Sequence, residues 1–144
     1  MIDSTIDLKI KFFFGDVDGN TMNVDIQSDT FNSTVNSQPG AVYWNQSIKL
    51  PGVVKLHFSG KNMQSDTRLD ELGNIVLDKH VRITGIWLDG FKISKMALEQ
   101  AIILKTDQGE LVNSYIGHNG IVVFDFDQPN IFLQLAKIER QKNT

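Results

Sequence analysis

Four carboxylates crowd the middle of the chain: Asp66, Asp70, Glu71 and Asp78. Oxygen-rich groups of this kind suit calcium, a hard cation that takes about six to eight oxygen ligands. Four side chains fall short of that number, so the group has two readings. Either further oxygens complete a calcium site that ties a polar loop to a sheet, or the acids form a solvated loop with Asp78 capping a turn. Calcium is thus the one candidate cofactor. Asp16, Asp18 and Asn20 make a second oxygen cluster. It lacks the closing Glu of an EF-hand. Turn chemistry accounts for the same residue types, because Asp-Gly is a preferred pair at a tight hairpin.

Catalytic sets are harder to assemble. The chain has no cysteine, which removes thiolate metal sites and a Cys nucleophile. His57, His80 and His118 share no metal-ligand spacing. Ser47, Ser59, Ser65 and Ser114 lie in no nucleophile-elbow context. Many carboxylate pairs can be drawn and none is singled out, so the chain reads as non-enzymatic. The aromatics offer a different chemistry. Tyr43 points away from its neighbours Val42 and Trp44, beside Asn45 and Ser47. An aromatic plane flanked by amide and hydroxyl groups can stack on the apolar face of a sugar and hydrogen-bond its hydroxyls. Tyr43, Asn45 and Trp87 are the candidate ligand-binding set. The competing reading buries both rings, as is usual for large aromatics.

The elements that would position these residues are strands. Thr5 to Phe14 alternates, with Ile6, Leu8, Ile10, Phe12 and Phe14 on one face and Asp7, Lys9, Lys11 and Phe13 on the other. Asp16 to Asn20 reverses the chain and Thr21 to Gln27 returns. Ala41 to Leu50 and Val53 to Ser59 flank the Pro51-Gly52 turn, and polar loops occupy Ser28 to Gly40 and Gly60 to Asn74. Leu69 to Gly90 reads as paired strands in the middle of a sheet, Ile75 to Leu77 and Val81 to Leu88. Gly85 interrupts the second. A bulge there turns Ile86 and Leu88 inward and Trp87 outward; an unbroken strand puts Trp87 in the core. Lys95 to Gln100 is the sole helix candidate, with Ser94 at its N-cap. Ala101 to Thr106 and Glu110 to Ile116 form a hairpin. Ile121 to Phe126 and a final strand, Asn130 to Ile138, with apolar residues on both faces, close the chain.

About nine or ten short strands with glycine turns predict an all-β fold, an antiparallel β-sandwich of jelly-roll type with at most one short helix. The length of 144 residues fits a single domain spanning 1–144. The net charge of −3, without a basic run, argues against nucleic acid and anionic membranes as partners. No secretory signal is expected, since the first residues alternate charge and bulk, and no apolar stretch is long enough to span a bilayer.

The short strands, abundant Asn and Gln, the acidic loop before Gly73-Asn74, and Trp87-Leu88-Asp89-Gly90 together resemble the jelly-roll sandwiches of carbohydrate-binding modules. The same texture resembles small β-sandwich proteins of tailed-phage virions. Neither likeness transfers a binding residue. They imply two functions. One is a non-catalytic structural or decorating subunit of a larger assembly such as a virion, with other subunits, including copies of itself, as partners. The alternative is a glycan-binding module, calcium-dependent if the acidic loop holds the ion.

Overall fold

The computed structural model describes residues 4–50, 52–62, 65–107, 109–112 and 114–126. The final strand expected at Asn130 to Ile138 lies outside these residues. In order, the described elements are β1 (Ser4–Gly15), β2 (Asn23–Gln27), β3 (Asn32–Thr34), β4 (Gly40–Leu50), β5 (Val53–Ser59), β6 (Thr67–Leu69) and β7 (Ile75–Asp78). There follow β8 (His80–Leu88), β9 (Phe91–Lys92), α1 (Lys95–Ala101), β10 (Ile103–Thr106), β11 (Gly109–Val112), β12 (Tyr115–Ile116) and β13 (Gly120–Asp125).

They form the expected antiparallel β-sandwich. The first sheet runs β12-β8-β1-β4, with β9 paired to β8; the second runs β11-β10-β13-β5-β2-β3. Alternation builds the core. Leu8, Ile10, Phe12 and Phe14 of β1 are fully covered, and face Val24 and Ile26 of β2, Val54, Leu56 and Phe58 of β5, and Val122 and Phe124 of β13 in one continuous apolar cluster. Trp44 joins it from β4, its indole N–H donating to Ser33 Oγ at 3.1 Å and its ring lying 5.9 Å from that of Phe31. Burial of apolar area at roughly 25 cal/mol per Å² is the main force holding the two layers together.

Gly85 resolves the ambiguity in β8 in favour of the bulge. Against β1, Phe12 pairs with Ile83 and Lys11 with Gly85, so Thr84 is the extra residue. Beyond it the facing reverses: Ile86 and Leu88 are buried and Trp87 emerges on the outer face of the first sheet. The Asp89-Gly90 turn leads into β9, both residues adopting positive φ. It is fastened to β1 by reciprocal bonds, Asp7 N–H to Asp89 Oδ1 at 2.8 Å and Asp89 N–H to Asp7 O at 2.9 Å.

Several expectations need revision. Leu69 to Gly90 is not one paired unit within a sheet: β7 pairs with β6 in a separate two-stranded hairpin, and β8 alone enters the sandwich. The polar loops each hold a short strand, β3 and β6, whose side chains lack the apolar alternation that announces a buried face. The segment after Gly109 splits. β11 pairs with β10, whereas β12 joins β8 in the opposite sheet. The helix falls where expected, with Leu98 N–H donating to Ser94 O at its start.

Candidate functional site

The outer face of the first sheet gathers the aromatics. Register sets the pattern: Lys9 sits opposite Asn45 on β4 and Trp87 on β8, and Lys11 sits opposite Tyr43 and Gly85. Tyr43 and Trp87 are therefore diagonal neighbours across β1. Their ring centres lie 6.3 Å apart at an interplanar angle of 46°. Tyr43 is 55% exposed, and Trp87 is half-buried. Gly85 makes room for the indole, since a Cβ at that position would come within 2.6 Å of the Trp87 ring. The glycine thus serves both the bulge that turns Trp87 outward and the bed on which the ring lies.

Lysines complete the face. The Lys9 ammonium stands 4.9 Å from the Tyr43 ring centre and 5.0 Å from that of Trp87. Lys11 approaches Tyr43 at 5.5 Å and Lys92 approaches Trp87 at 5.4 Å. A cation over an aromatic face gains about 0.5–1 kcal/mol at an exposed site. These contacts hold the ammonium groups beside the rings. Asn45 is exposed in the same row, and Ser47 is turned aside, donating to Asp7 Oδ1 at 2.8 Å. Of the expected set, Tyr43, Asn45 and Trp87 are brought together. Lys9, Lys11 and Lys92 were not anticipated as part of it; their convergence depends on the register of four strands, although the outward facing of Lys9 and Lys11 follows from alternation alone.

The four acids are not brought together. Asp70 closes its own turn, accepting from Leu72 N–H and Asn74 N–H, each at 2.9 Å. The bond from Asn74 N–H leads those that hold its carboxyl below the usual range. Glu71 is exposed on that turn. Asp66 accepts from Asn62 N–H at 2.7 Å and from the Lys79 ammonium at 3.4 Å. The Asn62 bond is the leading cause of its lowered pKa. Asp78 is committed elsewhere. One oxygen takes Lys61 Nζ at 2.6 Å and Thr67 Oγ1 at 2.8 Å, and the other takes the Tyr115 hydroxyl. Burial alone would raise the Asp78 pKa, yet these three donors outweigh it and leave the carboxyl lowered. Among the described residues, no three His, Asp or Glu are placed to share a metal ion. The four acids therefore do not fit a calcium centre as placed: Asp66, Asp70 and Asp78 are engaged by ammonium, hydroxyl and backbone donors, and Glu71 stands exposed on its turn. Asp16, Asp18 and Asn20 form a hairpin tip, with Asp16 accepting from Gly19 N–H at 2.9 Å and Asp18 paired to Arg68.

Asp78 anchors a second cluster. Tyr115 stacks on His80 at 4.4 Å and 14°, and His80 Nδ1–H donates to Asp78 O at 2.8 Å. Asp78 and Tyr115, with His118, border a depression of about 330 Å³. Both Asp78 oxygens already hold donors, so the cluster is a brace between β7, β12 and the segment after β5. His57 lies on β5 of the second sheet.

No protein-family model and no curated protein matches the sequence. Among solved structures, the fold is similar to a calcium-dependent carbohydrate-binding module, the selenomethionine form of vCBM60. The TM-score is 0.50 and the identity 16%, over 83% of this chain and 90% of that one. At that identity the likeness establishes an architecture, the all-β sandwich.

Proposed function

We propose that this protein is a non-catalytic glycan-binding β-sandwich whose ligand lies across Tyr43 and Trp87. The observation that carries the reading is the bulge at Thr84-Gly85, which places an indole beside an exposed phenol on the outer face of a rigid sheet. A half-buried tryptophan on a glycine bed offers apolar area to a sugar ring, and Asn45 and Lys9 offer donors to its hydroxyls. The architecture shared with a carbohydrate-binding module supports it. Calcium is not assigned to this face, and glycan binding is expected to persist in chelator. No observation above points to a virion, and the decorating-subunit expectation gains nothing from the fold likeness.

The test is a glycan array with the wild-type chain, followed by affinity electrophoresis of Tyr43→Ala and Trp87→Ala. Each variant is expected to lose about tenfold in affinity, equivalent to about 1.4 kcal/mol, with an unchanged far-ultraviolet circular dichroism spectrum. Silence of the wild type across the array, or full binding by the double variant, would overturn the reading.

A further inference from the structure

A cavity beside the aromatic face continues it through Lys92. It measures about 560 Å³ and opens between β8, β9 and α1. Lys92 belongs to both sites: its ammonium stands 5.4 Å from the Trp87 ring centre, and its side chain lines the cavity. Arg82 and Lys95 line the same cavity with the hydroxyl-bearing Thr84, Ser94 and Ser114. The Arg82 guanidinium carbon lies over the Phe13 ring, 4.6 Å from its centre. That stacking orients the guanidinium fork, whose geometry matches a carboxylate or sulfate.

Charge supplies the second strand of reasoning. Glu99 is the carboxylate that lines this cavity, and Asp7 and Asp89 border the aromatic face, tied to the Asp89-Gly90 turn and Ser47. Among the described residues, the ion pairs Lys61–Asp78, Arg68–Asp18 and Lys79–Asp66 lie elsewhere, and in the cavity Arg82, Lys92 and Lys95 stand against the single carboxylate of Glu99. Adding Lys9 and Lys11, five cationic side chains share one continuous face of a chain whose net charge is −3. A local positive field on an acidic protein recruits a local anion. It is poorly suited to a nucleic-acid duplex, which calls for a broad basic surface.

We propose that the cavity between β8, β9 and α1 is an anion-binding subsite. It takes the carboxylate or sulfate of an acidic polysaccharide whose adjoining sugar stacks on Tyr43 and Trp87. The inference rests on the glycan reading of the aromatic face and names the class of glycan. Lys92 bridges the two subsites, Arg82 and Lys95 hold the anion, and Ser114 and Thr84 receive the sugar hydroxyls.

Isothermal titration calorimetry of the full chain tests it, with size-matched oligosaccharides of a uronic acid, a sulfated galactan and a neutral glucan. The wild type is expected to bind one acidic oligosaccharide about tenfold tighter than the neutral one, the difference shrinking as salt is added. Lys95→Gln and Arg82→Gln, both at exposed positions, are expected to cost about tenfold for the acidic ligand, the scale of one charge-assisted hydrogen bond, and to leave the neutral one unchanged. The uronate and sulfate arms show which anion is preferred. Equal affinity for acidic and neutral ligands, untouched by Lys95→Gln but lost in Tyr43→Ala, overturns the subsite and leaves the glycan reading standing. Absence of binding to all three overturns both. Lys95-dependent binding of a single-stranded oligonucleotide that displaces the acidic sugar also overturns the proposal.

Discussion

At the scale of single residues, Gly85 and Asp78 decide the most. Alanine at 85 would drive a methyl group into the Trp87 ring, at 2.6 Å. We expect Gly85→Ala to cost about 1–3 kcal/mol, the range for overpacking, and to shift the tryptophan emission as the indole lifts. Glycan affinity should fall with it. Retained emission and affinity would show that the bed is not required. Asp78 is the counter-ion of a buried ammonium: the side chains of Lys61 and Asp78 are 2% and 10% exposed. Asp78→Asn leaves Lys61 unpaired and is expected to cost about 3 kcal/mol, as breaking one side of a buried pair does. For a chain of this length that lowers the melting point by roughly 10 °C. The pH dependence follows from the lowered Asp78 pKa. A carboxyl that is depressed in the folded state contributes in full above the ordinary carboxylate value, and the contribution is lost as pH falls through the folded value. Wild type and Asp78→Asn should therefore differ most near neutrality and converge only in strong acid. Tyr115 runs the other way: burial and the Asp78 carboxylate raise its pKa, so its contribution is complete below the usual phenol range and declines under alkaline conditions.

At the scale of elements, the β6–β7 hairpin stands apart from both sheets of the sandwich. A lone two-stranded hairpin is marginal in water. This one shows Leu69, Ile75, Val76 and Leu77 to solvent. It is held by Asp78 to Lys61 and Tyr115, and by Lys79, whose backbone N–H donates to Asp66 O and whose ammonium donates to Gly60 O. We expect hydrogen exchange to be faster at amides of 67–69 and 75–77 than in β1, and to accelerate there first in Asp78→Asn. Uniform protection across β1, β6 and β7 would contradict this. Much at this scale was legible beforehand. The inward rows of β1, β2, β4 and β5 follow from strict alternation, and Tyr43 was placed outward by the same rule. The facing of Trp87 was not legible, because Val81 to Leu88 is consistent with either register until β1 pairs with it. β3 and β6 were hidden because polar strands leave no alternation to read. The exchange of sheets between β11 and β12 was hidden because both short strands follow one another within a single apparent hairpin arm. The cations of the proposed binding face were likewise scattered, Lys9 and Lys11 on β1, Arg82 on β8, Lys92 on β9 and Lys95 on α1, and no one stretch of sequence brings them together.

At the scale of the molecule, stability is expected to be independent of calcium. A site filled at a hundred times its dissociation constant adds about 2.7 kcal/mol. Such a gain would raise the melting point by several degrees, so the melting curve in millimolar calcium should overlay that in chelator. A calcium-dependent rise would require oxygens beyond the described acids. Topology sets a further property. β1 lies between β4 and β8, with Leu8 opposite both Gln46 and Leu88. Pairings that distant in sequence make folding slow relative to helical proteins of similar size. During synthesis the first strand leaves the ribosome with its row of leucine, isoleucine and phenylalanine, while the partner that covers its second edge ends only at Leu88. The nascent chain therefore carries one edge of this sticky ribbon uncapped until β8 has been made. A holdase that shields the first fifteen residues should raise the yield of native protein more than one acting on any later segment.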